Sequence, residues 1–322
     1  MVKEAVILAA GMGSRLGNQN DQKPKGFLQL GNQPIIEESI KKLIKCGIEK
    51  IWIVTGYQSH YFKELTERYD STVCLVSNEE FDQSGTLHSL SMIAEKVCPP
   101  FLLLESDIIF EYRAIEKILN HRNEDCLLLS GFNECGDEVF VETNREELVF
   151  MSKNMHELSR PPAGELVGIT KIGKELFLKM MQFYNSDEKN KLADYETDAL
   201  VAVAGEISIP CLIIDDLIWS EIDDQSHLKR AKEEIYPKVI ETDLKYFSKS
   251  SNQGHLQVKK RLIIFSMASI CYTNAAHAYL DPSTGGMLIS AIIGMFATLG
   301  LVIKSYWYKL KSLFRKKEKR MD

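Results

Sequence analysis

Arg15, Lys25, Asp107 and Asp223 are two basic residues and two carboxylates that together could handle a phosphate-bearing substrate. Arg15 lies in Val6-Ile7-Leu8-Ala9-Ala10-Gly11-Met12-Gly13-Ser14-Arg15-Leu16-Gly17, where an apolar run of strand length meets two glycines, and Lys25 follows in Lys23-Pro24-Lys25-Gly26. Glycines there let the backbone approach an anion and turn amide N–H groups toward it, while Arg15 and Lys25 add full positive charge. The string reads as a strand feeding a phosphate-binding loop, although an ordinary strand-to-helix turn uses the same glycine pair. It is not a Walker loop, because no Gly-Lys-Ser/Thr ending follows, and it lacks the third glycine of the dinucleotide fingerprint.

Asp107 sits in Leu104-Glu105-Ser106-Asp107, just past an apolar run. A carboxylate there either holds a hard cation such as Mg2+ against nucleotide phosphates or caps a helix. Trp219-Ser220-Glu221-Ile222-Asp223-Asp224 offers the second acid, with Asp223 as the ligand and Asp224 as a helix cap. Ser84, Gly85 and Thr86 form a glycine turn with hydroxyls at a helix start, a pattern that suits either phosphate contact or helix capping. No Ser/His/Asp or Cys/His set stands out, so the chemistry needs no nucleophilic side chain. An ionised oxygen of one substrate can attack the α-phosphorus of a nucleoside triphosphate directly, with positioning and charge stabilisation as the protein's contribution.

These residues must be brought together by elements whose periodicity is legible. The apolar run Val6–Ala10, Lys50–Thr55, Ser71–Val76, Phe101–Glu105 and a run ending at Leu129 read as buried strands, and Pro34–Gly47, Gln58–Tyr69 and Thr86–Lys96 as helices between them. That alternation predicts an α/β fold with a mostly parallel sheet, helices on both faces and a ligand site at the carboxyl ends of the strands. Further strands are expected at 138–142, 165–170 and 207–214, and helices at 174–184, 194–204 and 224–236. Residues 241–258 are polar and unpatterned and read as a linker.

The 322 residues carry a formal net charge of −6, unevenly distributed. Residues 259–322 hold 11 Lys/Arg against 3 Asp/Glu, leaving residues 1–258 at −14, an acidic head unsuited to nucleic acid. The seven cysteines lack metal-ligand spacing, which suits buried thiols in a reducing compartment.

The string L-A-A-G-x-G-S-R-L followed by x-P-K-G resembles the signature of sugar-phosphate and alcohol-phosphate nucleotidyltransferases. Pro24-Lys25-Gly26-Phe27-Leu28, Leu104-Glu105-Ser106-Asp107, Gly136-Asp137-Glu138-Val139, Ser152-Lys153-Asn154, Gly164-Glu165-Leu166-Val167-Gly168-Ile169, Asp194-Tyr195-Glu196 and Trp219-Ser220-Glu221-Ile222-Asp223 narrow the likeness. In that order they are similar to 2-aminoethylphosphonate cytidylyltransferases and, less closely, to phosphocholine cytidylyltransferases. The resemblance implies a Rossmann-like nucleotidyltransferase domain with a mixed, mostly parallel sheet over residues 1–240 and CTP as nucleotide. It implies Mg2+ on Asp107 and Asp223, and Arg15 and Lys25 as catalytic cations. Nucleotide contacts would come from Leu8, Ala9, Ala10, Gly11, Gly13, Ser14, Ser84, Gly85 and Thr86. For the acceptor it implies Lys153 on the phosphonate or phosphate, Asp137, Glu165 and Glu196 on the ammonium, and Tyr195 as an aromatic wall. The acid-rich set favours a primary amine over choline; a sugar phosphate comes third, and a nucleotide-binding protein without turnover is the reading from another class. A homo-oligomer is compatible with all of these.

The tail departs from the resemblance. Lys259-Lys260-Arg261 precedes an apolar run over 262–273, and a second run, Gly286–Ile303, precedes a basic segment from Lys304 to Arg320. Basic flanks on the outer ends of both runs predict a transmembrane helical hairpin over 259–322 that anchors a cytoplasmic catalytic head. The competing reading is a cleaved internal signal-like segment, leaving one span.

Overall fold

The protein is described by a computed structural model over residues 1–16, 23–133, 136 and 138–248, and every structural statement here concerns those residues. The first unit of the chain runs Met1–Phe247. Its elements in order are β1 (Glu4–Ala9), α1 (Ile35–Lys45), β2 (Lys50–Thr55), α2 (Lys63–Tyr69), β3 (Val73–Ser77), α3 (Thr86–Ser91), β4 (Phe101–Glu105), β5 (Ile108–Phe110), α4 (Arg113–Leu119) and β6 (Cys126–Ser130). Then come β7 (Phe140–Asn144), β8 (Glu147–Ser152), β9 (Gly164–Ile172), α5 (Lys174–Ser186), β10 (Cys211–Ile214) and β11 (Trp219–Glu221).

Local chemistry explains the boundaries. Pro34 stands at the N-cap of α1, where its missing N–H costs nothing. Gly47, at φ +91°, ends the helix: its N–H donates to Ile44 O and that of Ile48 to Leu43 O, the two bonds of a Schellman cap. Burial of β1 alternates by face, with Ala5, Ile7 and Ala9 in the core under α1, α2 and α4 and Val6 and Leu8 in the core under α3 and α5. A sheet covered on both faces needs apolar residues at every position, hence the unbroken run Val6–Ala10.

The main sheet runs β10-β6-β9-β4-β1-β2-β3. β3, β2, β1 and β4 are mutually parallel, as are β6 and β10, while β9 lies antiparallel between β4 and β6 and also pairs with β7 of the β7–β8 hairpin. The sheet is therefore mixed but mostly parallel: along this order every strand but β9 points the same way, because the second half of the chain inserts one long reversed strand into the gap between β4 and β6. β5 and β11 form a separate antiparallel pair.

Residues 241–248, read from sequence as the start of a linker, are helical, the end of a helix over 236–248. Contacts and not periodicity fix it: Tyr112 N donates to Asp243 Oδ1 at 2.6 Å, Lys42 lies 3.2 Å from Asp243 Oδ2, and Lys45 sits over the Phe247 ring. Among the described residues no helix is long and apolar enough to cross a membrane. The expected hairpin over 259–322 lies outside them.

Candidate active site

β1 delivers Ala9 and Ala10 to the carboxyl edge of the sheet, and Gly13 (φ +60°) turns the chain into a one-turn 3-10 helix, Ser14–Leu16, closed by Leu16 N donating to Gly13 O at 3.1 Å. A second such turn, Lys25–Phe27, presents Lys25. A Cβ on Gly13 would come within 2.9 Å of Lys25 Cγ, so the glycine is what lets the lysine stem lie against the loop.

The acids arrive from the neighbouring strand. β1 and β4 pair in parallel with Leu8 opposite Glu105, and Asp107 follows two residues on. β5 then pairs antiparallel with β11, Ile108 opposite Glu221, and Ile222 N donates to Asp107 O at 3.1 Å. That register sets Asp107, just before β5, beside Asp223, just after β11. Asp224 caps the next helix, Gln225–Arg230, by accepting from Ser226 N and His227 N, which frees Asp223 to face inward.

Between the two aspartates lies the Lys25 ammonium, which donates to Asp107 Oδ2 at 2.8 Å and to Asp223 Oδ1. Burial alone would lower the lysine pKa, but the two carboxylates outweigh it and hold Lys25 above the ordinary lysine value. Arg15 is more loosely placed, with Nη1 3.9 Å from Asp223 Oδ2 and a side chain 61% exposed.

A cavity of about 290 Å³ opens here. Of the residues expected to meet nucleotide, Leu8, Ala9, Ala10, Gly11, Gly13 and Thr86 line it, together with Arg15, Lys25, Asp107 and Asp223. Ser84 and Gly85 are not brought to it. Ser84 Oγ donates to Glu80 O and accepts from Asn78 Nδ2, and Gly85 packs on the backbone of Leu192 and Ala193, where a Cβ would meet Ala193 O at 2.2 Å. Their glycine turn serves close packing.

A smaller adjoining cavity, about 50 Å³, is lined by Lys153, Glu165 and Glu196, with Asn133, Glu138, Trp219 and His227. Glu105, Glu196, Glu221 and Asp223 line both cavities, so the two share a wall of carboxylates. Asp137 lies outside the described residues.

Tyr195 is not an aromatic wall. It is fully buried, and its hydroxyl donates to Glu105 Oε1 at 2.9 Å. It positions an acid that sequence reasoning passed over. Glu105, Asp107 and Glu221 each offer a carboxylate oxygen, all within 4.8 Å of one another. The signal was present as the pattern acid-x-acid, occurring at 105/107 and again at 221/223, because alternate residues of an extended segment share a side.

This crowding has a charge cost. Burial first, and neighbouring carboxylates second, push Glu105 and Glu221 well above the ordinary glutamate range. Glu196 is pushed up to about 8, by burial and then by Asp194. Glu196 Oε2 is buried and has no hydrogen-bond partner among the described residues. Hard oxygen donors this close, each disfavoured as an anion by the others, fit a divalent cation. Of the expected pair, Asp107 belongs to this cluster with Glu105 and Glu221, whereas Asp223 stands beside it, bonded to Lys25.

Comparison with known proteins gives a consistent picture. The family model described as "MobA-like NTP transferase domain" matches residues 5–165, half of the chain. Over 234 residues the chain is 28% identical to the "Bifunctional IPC transferase and DIPP synthase" of Thermococcus kodakarensis; the match takes in 72% of this chain but only 50% of that protein, so the chain spans half the length of this relative. It is 24% identical over 242 residues to the 2-aminoethylphosphonate cytidylyltransferase of Lancefieldella rimae, covering 72% of this chain and 83% of that one. Among solved structures, the CTP:phosphocholine cytidylyltransferase of Streptococcus pneumoniae superposes with a TM-score of 0.61 at 20% identity, over 72% of this chain and 99% of that one. The fold is therefore the α/β Rossmann-like nucleotidyltransferase fold with a mixed sheet.

Proposed function

The chain belongs to the MobA-like NTP transferase family and is by that membership a nucleotidyltransferase; from this premise we propose that it transfers the cytidylyl group of CTP to 2-aminoethylphosphonate. A phosphonate oxygen attacks the α-phosphorus, the new P–O bond forms as the bond from the α-phosphorus to the α,β-bridging oxygen breaks, and pyrophosphate leaves with that electron pair. No proton transfer is required, because the attacking oxygen is already ionised.

One observation carries the reading: the half-buried Lys25 ammonium, set between Asp107 and Asp223 behind a glycine loop, faces a cavity that continues into a second, acid-lined one. In this account Lys25 and Arg15 hold phosphate oxygens, and the Gly11–Gly13 backbone leaves room for them. Lys153 holds the phosphonate, and Glu196 with Glu165 accepts hydrogen bonds from the ammonium. Asp107, with Glu105, Glu221 and Asp223 nearby, is the holder of a divalent cation, which supplies neutralisation of the triphosphate charge when bound.

CTP as donor is supported by relatives named as cytidylyltransferases. The primary amine is supported by the carboxylate lining of the second cavity, since ammonium N–H groups need acceptors whereas a quaternary ammonium needs aromatic faces. Phosphocholine is the runner-up, because Trp219 lines the same cavity. Pyrophosphate release by the purified chain with CTP and Mg2+ tests the choice. Higher kcat/KM with 2-aminoethylphosphonate than with phosphocholine supports the proposal, and the reverse order installs the runner-up. Activity only with a sugar phosphate rejects both, and silence with every acceptor points to binding without turnover.

The tail enters the proposal through sequence alone. We read residues 259–322 as a membrane anchor that leaves the catalytic head in the cytoplasm, so that the activated product is made where a lipid or surface glycan is decorated. Co-flotation with liposomes by the full chain, lost on truncation at residue 258, is the expected result.

A further inference from the structure

We propose that Lys25 is a placeholder for the divalent cation: without nucleotide its ammonium fills the position between Asp107 and Asp223, so the cation enters effectively only with a polyphosphate that gives the ammonium a new partner. This rests on the nucleotidyltransferase reading but not on the identity of the base or the acceptor.

The geometry has three parts. First, the ammonium is bonded to one oxygen of each aspartate, and all three side chains are largely withdrawn from water, with 16% of Lys25, 15% of Asp107 and 9% of Asp223 exposed. Removing it with nothing in exchange would take from Asp107 and Asp223 the one ammonium bonded to both, beside Glu105 and Glu221, with the exposed Arg15 3.9 Å from Asp223, a cost that weakly screened like charges make large. A cation arriving alone therefore competes with a positive charge already in place.

Second, the lysine can move without moving the backbone. Its turn is pinned by Phe27 N donating to Pro24 O at 2.9 Å and Leu28 N to Lys25 O at 3.0 Å, whereas the side chain is a flexible four-carbon stem. Third, that stem already lies along the glycine loop, with Cγ, Cδ and Cε all within 3.6 Å of where a Gly13 Cβ would stand. A short rotation carries the ammonium from the aspartates toward whatever anion the loop holds. Arg15 is placed differently, with Nη1 3.9 Å from Asp223 Oδ2 and a mostly exposed side chain.

The test uses the full chain and Mn2+ as the probe, followed by electron paramagnetic resonance of the free ion. The neutral variants Lys25→Met and Lys25→Gln are expected to bind Mn2+ alone on the order of tenfold tighter than wild type, whereas Arg15→Met changes affinity by less than about threefold. Variants within about threefold of wild type, or an equal gain in Arg15→Met, would overturn the proposal, the latter because only general charge removal would then be at work. A second measurement needs no variant. With Mn2+ and inorganic tripolyphosphate together, the melting temperature of the wild type should rise by more than the sum of the two separate shifts, and simple additivity would also contradict the placeholder. Neither probe carries a base, so an enzyme that uses a nucleotide other than CTP passes both tests unchanged.

Discussion

At the scale of the residue, the site is a balance of buried charge. Asp107 and Asp223 share the Lys25 ammonium, Arg15 lies 3.9 Å from Asp223, and Glu105, Glu196 and Glu221 crowd behind them. Asp107→Asn keeps the shape but removes a formal charge from the cation site, and turnover should fall by about 10²–10³-fold or more while the fold persists. Wild-type-like turnover in that variant would remove Asp107 from the cation site. Glu196 makes a separate prediction. Its carboxyl binds a proton more tightly when folded than when unfolded, up to about 8 against an ordinary 4.5. Its stabilising contribution is therefore complete below about 4.5 and is lost as pH rises through about 8. The melting temperature of the free protein should decline across that window, and Glu196→Gln should flatten the decline. With Glu196 as the ammonium acceptor, the same variant should raise the KM for the amine roughly 10-fold or more and leave that for CTP little changed. Equal effects on both would assign Glu196 a merely structural part.

These residues were unequally legible. Arg15, Lys25, Asp107 and Asp223 stood out because their types and neighbours fit one chemistry. Glu105 and Glu221 did not, although each lies two residues from a chosen acid. Tyr195 was misread because nothing in an aromatic residue beside two acids tells whether its ring is exposed to ligand or sunk in the core, where it orients Glu105.

At the scale of the element, periodicity was enough for β1 to β4, β6 and the helices α1 to α3, since each is a local pattern of burial, whereas the short β5 and α4 were not read from it. Strand order is not local. The antiparallel insertion of β9 between β4 and β6 follows from how the second half of the chain fills a gap, and no window of sequence contains that fact. β9 also meets the site: Gly168 adopts φ +74° within it, and a Cβ there would stand 3.0 Å from Glu105 Oε2. Gly168→Ala should cost about 1–2 kcal/mol, lowering the melting temperature by about 2–8 °C. It should also reduce turnover by displacing Glu105. A melt within 1 °C of wild type with full activity, on the order of measurement error, would show that the strand absorbs the methyl.

At the scale of the whole molecule, the head is closed by an element that composition concealed. Residues 241–248 of the helix over 236–248 read as polar linker because none of them is fully buried; earlier in the same helix Val239 enters the core and Tyr236 donates to Glu38 Oε1 at 2.6 Å, and Asp243 accepts the N–H of Tyr112 at the start of α4. Asp243→Ala leaves that N–H and Lys42 without the carboxylate and should cost about 1–3 kcal/mol of stability. Turnover at low temperature should hold, because Asp243 lines neither cavity of the site. Loss of activity without loss of stability would instead tie this helix to catalysis.

The central claim is that the two cavities hold the two halves of one reaction, CTP and a small cationic phosphonate. Phosphorus NMR of the purified chain incubated with CTP, Mg2+ and 2-aminoethylphosphonate tests it most directly. The account predicts a CMP-linked phosphonate and pyrophosphate appearing in equal amounts, both absent with Asp107→Asn. Pyrophosphate with no linked product, or no consumption of CTP under conditions where another acceptor reacts, would contradict it.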